Sequence, residues 1–162
     1  MCHSDRSPFG PLETTFRLLV VGPQPLSLNG RSIGLTAQSI RLWELRAILF
    51  HPATGVAVQR AALVALVGRA RWRRGAWMVG LAGVLLPGLR QRVACLPVGC
   101  SDGRACAGGM VLADLLDRLD AADATSEGIA EALLWTVVRP ALGPDPPAGT
   151  WPRLAAVPGG PW

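Results

Sequence analysis

Gly75 to Leu89 is an unbroken apolar run bounded by Arg74 and Arg90, and no other segment restricts the fold so much. As a helix it rises roughly 22 Å, short of the roughly 30 Å hydrocarbon core of a bilayer. Pro87 also lies inside it. A helix this apolar that does not span a membrane has to be surrounded by protein. Gly80 and Gly83 leave room for another helix to come close. The expectation is a central buried helix, which argues against a membrane partner.

The charge pattern sharpens that picture. Between Glu44 and Asp102 there is no acid, yet Arg46, Arg60, Arg69, Arg71, Arg73, Arg74, Arg90 and Arg92 all fall there. Residues 59–104 carry a net +7 and residues 105–139 a net −4, within a chain total of +5. Such asymmetry calls either for an anionic partner or for pairing between the two segments. All 16 cations are Arg. Arg makes planar, bidentate contacts with phosphate and carboxylate, and an Arg, Ala and Gly bias is also what a GC-rich genome writes.

At 162 residues and 50% hydrophobic content the chain suits one domain with a real core. Residues 1–14 read as a flexible leader, with no secretory signal in view, which implies a cytoplasmic address and reduced cysteines. Phe16 to Val21 is a short apolar run of strand type, ended by Gly22 and Pro23. Asn29-Gly30 suits a type I′ turn, which predicts a β-hairpin within 16–35.

Helices are expected over 39–139. Ser39 would cap one through Phe50, and His51-Pro52 would end it. Val56 to Val67 predicts a second, with Gly68 as a break before the Arg cluster. Leu96 to Gly109 reads as a loop. Val111, Leu112, Leu115, Leu116 and Leu119 mark an amphipathic helix whose other face carries Asp114, Asp117 and Asp120. Thr125 would cap the last helix, and Pro140 would stop it. Residues 140–162 read as a Pro- and Gly-rich flexible tail. The fold class is mainly α, a small orthogonal bundle of about five helices preceded by a short β-hairpin, over a single domain from 15 to 139.

Catalytic chemistry finds little support. There is no Lys, which excludes a Walker A loop and an S-x-x-K pair. His3 and His51 are the only imidazoles, one in the leader and the other at a helix end where it would cap carbonyls. Cys95, Cys100 and Cys106 lack the tight pairing of a zinc knuckle. We expect no enzyme, no metal, no cofactor and no small-molecule substrate.

The candidate binding residues are Arg69, Arg71, Trp72, Arg73 and Arg74, with Arg90 and Arg92. At about 100° per residue a continuous helix would put Arg60, Arg71 and Arg74 on one side and Arg69 and Arg73 nearly opposite. That is no single stripe for a groove. A break at Gly68 would instead gather them in a compact basic turn suited to phosphates or to the acidic helix of this chain. Trp72 and Trp77 suit either base stacking or a core.

The segment Pro25 to Arg90, with its ELRAILFHPAT and AWMVGLAGVLLPGLR stretches, and the later ADLLDRLDAAD and ALLWTVVRPAL, resembles a group of sigma-factor-like regulatory proteins of high-GC bacteria over residues 25–142. The resemblance implies a helical module similar to the core-binding region of sigma factors, acting in transcription control without enzymatic activity. Two departures stand out, the Cys-rich stretch from Leu96 to Gly109 and a Pro-rich tail where a basic region would follow the Trp135 helix. A second likeness, to the opening of winged-helix regulators, covers only Phe16 to about Phe50. The leading expectation is thus a transcription-associated regulator that binds DNA phosphates or RNA polymerase through the Arg cluster. The alternatives are a structural or protein-interaction domain whose Arg block pairs internally with Asp114, Asp117 and Asp120, or a diverged fragment.

Overall fold

The computed structural model describes residues 9–95 and 101–143. The expectations for residues 1–8, for Cys100, for the side chain of Cys106 and for the tail beyond Gly143 lie outside the described residues. The class is the expected one, a mainly α orthogonal bundle of about six helices with a short antiparallel hairpin near its start.

Phe9–Val21 is the first helix, α1. The strand predicted at Phe16 to Val21 is therefore corrected, and part of the expected leader is helical. Phe9, Phe16 and Val20 are buried and share one helical stripe, a period that a short window centred on FRLLVV conceals. The Thr14 and Thr15 hydroxyls donate back to the carbonyls of Gly10 and Pro11, so these residues do not compete with the helix.

The hairpin follows. Its strands are β1, Ser27–Leu28, and β2, Ile40–Arg41, paired as Ser27 with Arg41 and Leu28 with Ile40. In place of the expected type I′ turn, Asn29 is extended (φ −73°) and caps a 3-10 helix over Gly30–Ile33, its side-chain oxygen accepting from Arg31 N at 3.0 Å. A Cβ at Gly30 would meet the Ala37 carbonyl at 2.2 Å, so the connection is packed against its own return limb.

Leu42–Leu49 forms α2. Its cap is Arg41 and not Ser39, because Glu44 folds back to accept the Arg41 N–H at 2.9 Å. Val56–Arg73 forms α3 without a break at Gly68. The corner comes at Arg74 (φ 41°) and Gly75 (φ 50°). Gln59, fully buried, ties α3 to α2 by donating to the Leu49 carbonyl at 2.9 Å.

Ala76–Ala94 forms α4, and the expected central helix is there: Leu81, Val84, Leu85 and Leu86 are wholly buried. Helices α1, α2, α3 and the C-terminal segment all pack on it. Glycines permit the approach. A Cβ at Gly83 would lie 2.1 Å from the Phe16 ring of α1, and one at Gly88 2.4 Å from the Val137 carbonyl oxygen.

Ser101–Asp120 forms α5, which corrects the loop expected through Gly109. Ser126–Leu133 forms α6, capped as predicted by Thr125, whose hydroxyl accepts from Gly128 N at 3.0 Å. The helix continues through a π-helical segment, Leu134–Val138, and a last turn, Arg139–Ala141. Pro140 therefore sits inside that turn. Among the described residues no helix is long and apolar enough to cross a membrane.

Candidate functional site

The unbroken α3 decides where its arginines go. Arg60, Arg71 and Arg74 do share a side, and each meets the segment formed by α5, α6 and the turn between them. Arg60 grips Glu131 of α6 with two guanidinium hydrogen bonds, 2.5 and 3.0 Å long. Trp135 Nε1 donates to the same carboxylate at 2.7 Å. The Arg60 bond first, and the Trp135 bond after it, hold the Glu131 carboxyl below its ordinary pKa, while the same contact raises that of Arg60.

Among the described residues Arg71 makes no ion pair; it donates to the carbonyls of Ala124 (2.5 Å) and Ala121 (3.1 Å). Ala121 directly follows α5, at the negative end of that helix's dipole, and Ala124 lies in the same turn just before the α6 cap Thr125. A guanidinium suits that place because its planar fork reaches two oxygens at once. Arg74 pairs with Asp120 at 2.7 Å.

The other side of α3 differs. Arg69 lies over the Trp77 ring, 5.7 Å from its centroid, and Trp77 itself is buried. Trp72 and Arg73 point to solvent. These three border an open cleft of about 410 Å³ between α3 and the 3-10 helix.

Arg90 belongs to a separate knot that sequence reasoning missed. Glu13 of α1 receives Arg46 at 3.1 Å, Arg17 at 3.6 Å and Arg90 at 3.9 Å. Arg46 also stands 5.5 Å from the Phe16 ring centroid and reaches the Gly83 carbonyl at 3.5 Å. That carbonyl is the one Pro87 leaves without a helical donor, since proline has no N–H. The signal was present in the sequence: a proline within an apolar helix requires a donor for the carbonyl four residues earlier. Arg92 joins neither group.

The expected basic binding surface is therefore overturned. Arg60, Arg71, Arg74 and Arg90 turn to the chain's own carboxylates and carbonyls, so the cluster is not one face free for DNA phosphates or RNA polymerase. The internal alternative also needs adjustment. Of Asp114, Asp117 and Asp120, only Asp120 meets the Arg block, and Asp114 pairs with Arg118 on its own helix at 3.0 Å.

Among the described residues no group of three or more His, Cys, Asp or Glu side chains could hold a metal ion. Cys95 is an exposed free thiol. The His51 imidazole Nδ1 accepts from Ala53 N at 3.2 Å, a local turn contact with no nucleophile in it. No family model, no curated protein and no solved structure matches the chain.

Proposed function

We propose that the chain is a non-enzymatic helical domain for protein interaction, working in the cytoplasm, whose arginine block holds its own fold together. The observation that carries this reading is that Arg60 and Arg71 of α3 and Arg74 at the corner after it each grasp a different point of the α5–α6 segment.

Charge reversal tests it. Arg71→Glu places a carboxylate against the carbonyls of Ala121 and Ala124, and Arg74→Glu places one against Asp120. Both variants are expected to melt lower than the parent, Arg71→Glu by more, since charge-assisted hydrogen bonds contribute about 1.5 to 3 kcal/mol and exposed ion pairs up to about 1 kcal/mol. The exchanged pair Arg74→Asp with Asp120→Arg should recover most of the loss. Unchanged melting in both reversals would show that the arginines do not clamp the fold.

A further inference from the structure

The clamp leaves part of α3 unused. Trp72 is 86% exposed, and Arg73 is exposed with no ion pair or hydrogen bond among the described residues. Both border the cleft beside the 3-10 helix, with Leu28 and Val64 among its apolar walls and Arg69 on its rim. Among the described residues no acidic side chain lines it. Arg69 is held at the rim by its seat over the Trp77 ring.

Gly68 also lines this cleft, in mid-helix. Glycine there costs about 1 kcal/mol relative to alanine, and a Cβ built at this position meets no atom within 4 Å. Packing does not require the glycine, in contrast to Gly83 and Gly88. Its bare backbone forms part of the cleft's wall. Exposed Trp beside Arg is the pairing enriched where partners anchor.

We propose that the cleft docks a segment of a partner protein in which Asp or Glu residues flank an apolar side chain. The apolar group lies over Gly68 against Leu28, Val64 and Trp72, and the carboxylates pair with Arg69 and Arg73. Two cations with no acid in the walls select an anionic segment, and the apolar walls select a side chain over a sugar-phosphate backbone. This rests on the reading of the chain as a protein-interaction domain, and gives that reading a surface.

The test is fluorescence anisotropy on the full chain with a short labelled peptide of Asp and Glu around a central Leu-Trp. A control peptide carries Asn and Gln in place of the acids, and a labelled oligothymidylate of matched charge is run beside them. The acidic peptide should bind, more weakly as salt rises, and the control should not. Gly68→Leu fills the cleft and Arg73→Gln removes a cation; each should weaken binding by about tenfold or more without any lowering of the melting temperature, which Gly68→Leu should raise. The proposal is overturned if the acidic peptide fails to bind, if the control binds equally well, if neither variant weakens binding, or if the oligothymidylate binds as tightly with the same sensitivity. Gly68 and Arg73 take no part in the clamp, so loss of this proposal leaves the charge-reversal result standing, and the reverse also holds.

Discussion

Glu13 shows how much one carboxylate can organise. It is 16% exposed and gathers guanidinium groups from α1, α2 and α4. Arg46, itself only 24% exposed, would lose its main counter-charge without it. Glu13→Gln keeps the shape and removes the charge, and should cost about 1 to 3 kcal/mol, read as a lower urea midpoint at unchanged slope. Glu131 gives a pH signature instead. Its folded pKa is lowered chiefly by Arg60, so the stability it contributes is complete above the ordinary carboxylate range and is lost as pH falls through the depressed folded value. Thermal melts from neutral to acid pH should therefore fall less steeply for Glu131→Gln, which should already be less stable at neutral pH. Equal slopes for parent and variant would show that Arg60 and Trp135 do not favour the charged form. Arg60, raised by the same contact, adds stability below its ordinary pKa and would lose it only at more alkaline pH than such melts reach.

Helix glycines give opposite results for one substitution. Gly68→Ala should stabilise by up to about 1 kcal/mol, because an added Cβ meets nothing and the unfolded chain loses freedom. Gly88→Ala should destabilise by about 2 kcal/mol or more, because backbone at Val137 stands 2.4 Å from the added atom and cannot move aside as a side-chain tip can. Chemical denaturation of the two variants checks both signs. The difference was only half legible in the sequence. The apolar run containing Gly88 announced a buried helix, whereas nothing in the order of residues said that Gly68 lay beside a cleft. Helix α4 was read from its unbroken apolar run and not from a repeat, while periodicity served in α5, whose predicted Leu115 and Leu119 are buried. Periodicity failed for α1, whose Phe9, Phe16 and Val20 stripe is spread over more residues than the run that suggested a strand. Helical angles alone separated Arg60, Arg71 and Arg74 from Arg69 and Arg73. Which acids they meet depends on how α5 lies on α3, and Asp114, Asp117 and Asp120 look alike in sequence although only Asp120 reaches the block.

Across the whole molecule the charge divides at the connection between α4 and α5. Residues 1–98 hold twelve Arg against three acids, and residues 99–162 hold four Arg against eight acids, which gives +9 and −4. The same division runs through the core, since α6 packs on α3 and Val137 closes over Gly88. Neither half can satisfy itself. The first half alone leaves the clamp arginines without Asp120, Glu131 and the carbonyls of Ala121 and Ala124, and leaves the apolar face of α4 bare. The second half alone has too little apolar surface to offset the entropy of ordering α5 and α6. Expressed separately, each half should show weak helical circular dichroism. Mixed, the two should regain the helical signal and cooperative melting of the intact chain. Because opposite net charges draw them together, association should slow as salt rises, while the apolar contacts keep the complex intact once formed. A first half that folds fully alone would show that α4 and not the clamp carries the fold, and halves that never recover the signal together would show that the two do not complete one another. Arg71→Glu in the first half separates the two contributions: it should weaken association at every salt concentration, because it removes hydrogen bonds to carbonyls as well as a charge.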